Sequence, residues 1–298
     1  MVRVTIEQLL KQCVDYLKIN GVRDFPVLDA QLILCKVLGV GKLYLVTHKD
    51  EKLDMSAAES CMELIRLRAK GMPVQYIIGE QEFMSLPFKV TPDVLIPRPD
   101  TEILVEHVIE ECQAWAEEDI RIMDIGTGSG CIAVSLAYYI KNSRVWAVDI
   151  SPRALDVCRW NAKQNGVDQR VCLVQQDILK GFPQADEGML FDVIVSNPPY
   201  IPTNAIDELQ TEVKDYEPRT ALDGGQDGLL FYRSLVSEMH KYLKPGGLAA
   251  FEVGHNQSDD VAQLMEKSGY YDNIKIIRDL AGIKRVVSAR KLIVPQLE

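Results

Sequence analysis

Residues 121–139, RIMDIGTGSGCIAVSLAYY, are the stretch whose reading decides the fold. Arg121 to Ile125 form a short apolar run that predicts a buried strand. Gly126, Gly128 and Gly130 follow at alternate positions, and an apolar segment then extends to about Tyr139. Glycines at this spacing let the backbone turn tightly and approach a ligand closely. A strand, a glycine-rich turn and a helix in that order open a βαβ unit.

Downstream the alternation continues. RVWAVDI (144–150) predicts a second strand, Pro152 to Asn165 a helix, RVCLVQQD (170–177) a third strand and MLFDVIVSN (189–197) a fourth. A helix around Leu229–Leu243, a fifth strand GLAAFEVG (247–254) and a helix over Asp259–Lys267 follow. NIKIIRD (273–279) and IKRVVSAR (283–290) are two last strands, separated only by Leu280, Ala281 and Gly282, so they are expected as antiparallel neighbours. The fold class predicted is α/β, an open Rossmann-like sheet, mostly parallel with the final strand antiparallel.

Upstream the pattern is different. Thr5 followed by Gln8 is a capping-box signal, and Ile6, Leu9, Leu10, Cys13, Val14 and Leu17 share one face up to Gly21. Further helices are predicted over Val27–Leu38 and Ser56–Lys70, stopped by Gly39 and by Gly71 and Pro73. This is a small helical bundle. VQYIIGEQEF (74–83) and LPFKV (86–90) are β-rich runs separated by Met84 and Ser85, which predicts a hairpin. Pro97 and Pro99 then force an extended entry to a helix that Asp100 or Thr101 can cap.

Composition bounds the function. The chain has 298 residues, a formal net charge of −10, a pI near 5.1 and 47% hydrophobic residues. Disordered, collagen-like and disulfide-framework classes are excluded. The acidic balance disfavours a wide phosphate-tracking surface. The seven cysteines are widely spaced with no CxxC pair, and the four histidines are scattered. No metal site is expected, and the thiols fit a reducing cytoplasm. No apolar stretch approaches the roughly 20 residues of a membrane span, and the N-terminus lacks a signal-peptide pattern.

In an open α/β sheet ligands bind beyond the carboxyl ends of the strands. After the first strand, D-x-G-x-G-x-G departs from the dinucleotide fingerprint, because Cys131 stands where its third glycine or alanine belongs. It resembles the first motif of class I S-adenosylmethionine-dependent methyltransferases. A tight turn without a ligand remains the alternative. After the second strand, Asp149 can accept both hydroxyls of a ribose, a device shared by NAD sites, or it can cap the next helix, as Ser151 can. After the third, Asp177 could accept an adenine amino group with Ile178 against the ring.

After the fourth strand stands Asn197-Pro198-Pro199-Tyr200. A planar –NH₂ group is a poor nucleophile because its lone pair is delocalised. The Asn197 side-chain oxygen and the Pro198 carbonyl can hold its two N–H bonds and aim the lone pair at a methyl donor. Proline fixes that carbonyl and has no N–H to interfere, and Tyr200 offers a flat face. Catalysis is then mostly positioning and electrostatic complementarity. The catalytic residues predicted are Asn197, Pro198 and Tyr200.

Two substrate classes satisfy that geometry: the exocyclic nitrogen of a nucleobase and the amide of glutamine. PVQYIIGEQEF, LIPRPDTE, DIGTGSG, SNPPYI, ALDGGQDGL and DLAGIKRVV together resemble the peptide-chain release factor glutamine methyltransferases (HemK/PrmC type), from about Pro73 to Arg290, and the helical domain fits as well. The resemblance implies transfer of a methyl group from S-adenosyl-L-methionine to the glutamine N5 of the Gly-Gly-Gln motif of class I release factors, leaving S-adenosyl-L-homocysteine. It implies that Gly126, Thr127, Gly128, Ser129 and Gly130 hold the methionine part and Asp149 the ribose. Asp177 and Ile178 would border the adenine, and Asn197 would touch cofactor and substrate. Asn197, Pro198, Pro199 and Tyr200 would bind the glutamine. Arg98 and Thr101 are expected to wall the methyl-donor pocket, with Glu217, Pro218 and Ala221–Gly228 at the substrate mouth.

The expected domains are therefore a helical substrate-recognition domain (1–72), a β-hairpin linker (73–95) and a methyltransferase domain (96–298). The helical domain is expected to form the second wall of a cleft that admits a peptide loop. The enzyme is expected to be a cytoplasmic monomer that binds neither nucleic acid nor membrane. The rival activity is an N6-adenine methyltransferase acting on DNA or RNA; a non-catalytic cofactor-binding scaffold and a NAD oxidoreductase are further alternatives.

Overall fold

The structure, a computed structural model, describes residues 4–115, 119–183 and 188–293. The chain forms two compact units, Met1–Glu80 with Gln210–Tyr216, and Gln81–Leu209 with Glu217–Glu298. Residues 210–216 thus group with the helical unit although they lie in sequence within the second.

The helical unit contains α1 (Ile6–Ile19), α2 (Pro26–Leu38), α3 (Lys42–Thr47), α4 (Met55–Ala69) and α5 (Val74–Ile78). The capping box forms: the Thr5 hydroxyl accepts from the Gln8 amide at 3.2 Å, and the Gln8 side chain accepts from the Thr5 amide at 3.0 Å. Ile6, Leu9, Cys13 and Leu17 of α1 pack with Ala30, Ile33 and Leu34 of α2 and with Cys61 and Ile65 of α4. Two elements differ from expectation. Lys42–Thr47 is a helix that its short, β-branched and aromatic sequence does not announce. Val74–Ile78 is helical rather than β: Pro73 sets its start, Gly79 closes it at φ +77°, and Val74 and Ile77, three apart, bury into the helical core. Burial of that face outweighs β-propensity.

Arg68 is buried at the end of α4, where its Nε donates to Asp29 at 2.6 Å and its Nη2 to Glu212 at 2.7 Å. This ties residues 210–216 to the helices. Removing the cation leaves Asp29 buried without its partner, so Arg68→Ala is expected to cost about 3–5 kcal/mol of stability. Denaturant unfolding measures this, and a midpoint equal to wild type would contradict it.

The second unit opens with the hairpin β1 (Glu80–Phe83) and β2 (Leu86–Lys89). Its turn residues Met84 and Ser85 both have positive φ, 50° and 56°. Neither is glycine, so the turn needs support: the Glu102 carboxylate accepts from the Met84 amide at 2.6 Å, and the Tyr139 hydroxyl donates to the Met84 carbonyl at 2.7 Å. Next comes α6 (Pro99–Cys112), with Arg98 at its N-cap and no side-chain cap. Asp100 and Thr101 therefore lie inside the first turn rather than capping it, because Pro99 takes the first helical position.

The sheet follows as β3 (Ile120–Ile125), α7 (Cys131–Tyr139), β4 (Ser143–Asp149), α8 (Pro152–Gln164), β5 (Val171–Gln175) and β6 (Phe191–Ser196). Past the short helix α9 (Thr211–Lys214), it is completed by α10 (Leu230–Glu238), β7 (Leu243–Glu252), α11 (Ser258–Ser268), β8 (Tyr271–Arg278) and β9 (Lys284–Lys291). Strand order is β5-β4-β3-β6-β7-β9-β8, parallel except that β9 runs antiparallel to both neighbours. This is the open, mostly parallel Rossmann-like sheet expected, with one antiparallel strand. Every residue of β6 is buried, as a central parallel strand covered on both faces requires. Apolar layers lie on the two faces, one around Leu104, Val108, Ile122 and Leu136 and one around Met123, Ile194, Tyr232 and Phe251. No helix among the described residues is long and apolar enough to cross a membrane.

Candidate active site

After β3 the chain winds to β4 and β5 on one side, then crosses to β6 on the other. The carboxyl ends of β3 and β6 therefore flank the topological switch point, where open α/β sheets leave a crevice. A cavity of about 530 Å³ opens there. Gly126, Gly128, Asp149, Asp177, Ile178, Asn197, Pro198 and Pro199, from four different strand ends, all line it. Thr127, Ser129, Gly130 and Tyr200 do not line it.

The glycines have separate reasons. Gly126 and Gly128 adopt φ of +75° and +54° at the cavity wall, and a Cβ at Gly126 would meet only the Asn197 carbonyl, at 3.9 Å. They expose backbone to the cavity. Gly130 at φ +82° faces inward: a Cβ there would stand 2.5 Å from Cys158 Sγ on α8. It allows α7 and α8 to pack.

Beneath the loop, the fully buried Asp124 accepts from the Thr127 hydroxyl at 2.6 Å and the Ala133 amide at 3.1 Å. Burial pushes its carboxyl up to about 7, against the lowering effect of those two donors. Asn161, on the apolar face of α8, donates to the Ser129 carbonyl at 2.8 Å and exchanges hydrogen bonds with the Lys89 backbone. No sequence motif singles it out. The signal was a lone amide in the buried register of Ala154, Leu155, Cys158 and Ala162.

Asp149 ends β4. Its Oδ2 accepts from the Gly128 amide at 2.9 Å and its Oδ1 from the Ser151 amide at 2.9 Å. The helix cap is Ser151, not Asp149. Each Asp149 oxygen retains a further lone pair for a ligand. Burial pushes this carboxyl up from its ordinary value. Asp177 caps a short 3₁₀ turn through the Leu179 amide at 3.1 Å and pairs with Lys180 at 3.2 Å.

At the end of β6, Asn197 Nδ2 donates to Thr101 Oγ1 at 3.1 Å, and Thr101 Oγ1 donates to Glu252 Oε2 at 2.5 Å. Tyr200 Oη makes a longer contact, 3.4 Å, with Glu252 Oε1. Its hydroxyl points into the protein. The loop at 221–228 clasps this segment's backbone: Gly224 donates to the Ile201 carbonyl at 2.8 Å, and the Gln257 side chain donates to the Tyr200 carbonyl at 2.9 Å. A Cβ on Gly224 would lie 2.7 Å from Tyr200 Cα, so only glycine permits the approach.

The pocket-wall expectation for Arg98 and Thr101 needs correction, since neither lines the cavity. Arg98 is drawn to Glu217 at 2.6 Å, and Thr101 is buried behind Asn197. At the expected mouth, Pro218, Ala221, Asp223 and Gly225 do line the cavity.

Known proteins match along the whole described core. Residues 8–79 match the PrmC N-terminal domain family and residues 116–291 a methyltransferase domain family. The chain is 44% identical to a release factor glutamine methyltransferase of Moorella thermoacetica, over 95% of this chain and 97% of that protein. It is 41% identical to one of Geobacter sulfurreducens, over 96% of each. A crystal structure of protein-(glutamine-N5) methyltransferase (release factor-specific) from Alicyclobacillus acidocaldarius is 34% identical, with a TM-score of 0.42 over 69% of this chain and all of that one.

Proposed function

This chain belongs to the family of release factor glutamine methyltransferases, and on that premise we propose that its cavity takes S-adenosylmethionine and presents it to a glutamine side chain. The enzyme is a protein-(glutamine-N5) methyltransferase. Its substrates are class I release factors, met through the Gly-Gly-Gln loop. The domain over 1–72, with its PrmC N-terminal match, recognises the release factor body. The linker over 73–95, helical over Val74–Ile78 and a hairpin from Glu80 to Lys89, leads to the catalytic domain over 96–298. The enzyme works as a cytoplasmic monomer.

The lining of the cavity fits the cofactor. Glycine backbone at positive φ forms one wall, and a carboxylate with spare lone pairs forms the next. The Ile178 side chain offers an apolar surface for a ring. Gly126, Gly128 and the flanking Thr127, Ser129 and Gly130 would shape the methionine part of the site, Asp149 the ribose part, and Asp177 with Ile178 the adenine part. Bound there, the sulfonium supplies an electrophilic methyl group. Asn197 Oδ1 and the Pro198 carbonyl accept the two N–H bonds of the glutamine amide, which draws its lone pair out of conjugation. Pro199 and Tyr200 hold the backbone that carries them. The methylated nitrogen is acidic and loses its proton without a dedicated base, so positioning supplies most of the rate.

The observation that carries this reading is the Asn197 amide: its nitrogen is committed to Thr101, which leaves its oxygen as the atom to face a donor. The test is incubation of the enzyme with labelled cofactor and either purified release factor or nucleic acid. One added methyl group on the glutamine of the Gly-Gly-Gln peptide, found by mass spectrometry, is expected. Label confined to nucleic acid would overturn it.

A further inference from the structure

Glu252 ends β7 inside the apolar run Ala249, Ala250, Phe251, Val253, and it is 3% exposed. A carboxylate there carries a large desolvation cost and needs a reason. Arg285, whose charge reaches it, pairs instead with Asp100 at 2.8 Å and Asp279 at 3.0 Å. The hydrogen-bond partners of the Glu252 carboxylate among the described residues are Thr101 and, more distantly, Tyr200.

A threonine hydroxyl has one proton. Over 2.5 Å, Thr101 gives it to Glu252. Thr101 Oγ1 can then only accept, and the donor that reaches it is Asn197 Nδ2. Rotating the Asn197 amide by half a turn would set its oxygen against an oxygen with no proton to offer. It would also turn the –NH₂ toward the cavity, where it would oppose the N–H bonds of a substrate amide. We propose that Glu252, acting through Thr101, is a positioning residue that holds the Asn197 side chain in the one orientation able to accept a hydrogen bond from the substrate. This rests on the role given to Asn197 above.

The test uses the full-length enzyme, a release factor substrate, four single variants at Thr101 and Glu252, one double variant and Asn197→Ala. Thr101→Val keeps the shape and deletes the hydroxyl. It is expected to lower kcat by about 100-fold, the scale of a small misplacement at a reacting centre, with cofactor affinity and KM nearly unchanged. Thr101→Ser restores the hydroxyl and should restore kcat. Glu252→Leu should lose kcat like Thr101→Val while melting no lower than wild type, because a buried carboxylate is gone. Glu252→Gln, whose Oε1 can still accept from Thr101, should retain most of kcat. Combining Thr101→Val with Glu252→Leu should be no worse than either alone, as two members of one relay require. Wild-type kcat in Thr101→Val, or equal losses in the valine and serine variants, would overturn the relay. Should Thr101→Val not fold, the contrast between Glu252→Leu and Glu252→Gln decides, and equal activity in those two also overturns it. Asn197→Ala at the wild-type rate would instead overturn the role of Asn197 itself, so the two failures are distinguishable.

Discussion

Asn197→Ala is expected to lower kcat by about 10³-fold and to leave cofactor binding measurable. The side chain supplies one of two acceptors that would hold the target amide. Its loss leaves one substrate N–H unpaired and the nitrogen free to stay planar. Removal of a single preorganised polar group of this kind from an active site costs about 10²–10³-fold, and loss of orientation adds to it. On the proposed reading the cofactor would keep the backbone of Gly126 and Gly128 and the Asp149 carboxylate, which line the cavity and whose mutual hydrogen bond does not involve the Asn197 side chain. Single-turnover rates with excess enzyme, together with calorimetric titration of the cofactor, separate the two effects. A variant that turns over at the wild-type rate, or one that has lost cofactor affinity and rate in equal proportion, would refute the assignment.

The parts of this site legible in the sequence are those written in backbone chemistry. Alternate glycines, paired prolines and strand-to-helix alternation each restrict φ and ψ directly, so the cavity-lining Gly126, Gly128, Asn197, Pro198 and Pro199 and the mostly parallel sheet are legible in the sequence, whereas Thr127, Ser129, Gly130 and Tyr200 of the same motifs do not line the cavity. The illegible parts are side chains whose meaning depends on a distant partner. Thr101 and Glu252 are 151 positions apart, and their contact exists only because α6 packs beside β7. The motif around Thr101 points to a pocket wall or a helix cap, but Pro99 takes the first helical position and Thr101 is buried behind Asn197. Glu252 did carry a signal, a lone acid in an otherwise apolar strand, which reads as an anomaly only once a strand is presumed buried on both faces. Val74–Ile78 failed for a different reason: five residues are too few for periodicity to arbitrate, and tertiary burial chose the helix.

Asp149→Ala is expected to weaken cofactor binding by about 100-fold while kcat at saturating cofactor changes little. Two charge-assisted hydrogen bonds to ribose hydroxyls are worth roughly 1.5–3 kcal/mol each, and part of that is offset because the variant also relieves a buried charge. Asp149 has a structural duty too, since it accepts from the Gly128 and Ser151 amides. Affinity alone would not separate loss of a ligand contact from collapse of the glycine loop, but pH does. The folded protein raises the Asp149 pKa, through burial first, so the native state without ligand binds this proton more tightly than the unfolded chain does. Ionising it therefore costs native stability as pH rises through that raised value. Ribose hydroxyls that donate to the carboxylate favour its charged form and shift the pKa back down. Cofactor affinity of the wild type should then fall as pH is lowered through the raised value, and binding there should release a proton. Asp149→Ala should lack that component. Asp124, pushed up to about 7 beneath the loop by burial and in lesser part by the Asp149 charge, titrates lower in the variant, so the comparison is made within each protein, between its free and cofactor-bound forms. Calorimetry in two buffers of different ionisation enthalpy measures the proton directly. Identical proton release in wild type and variant would mean that Asp149 holds the loop and not the ligand.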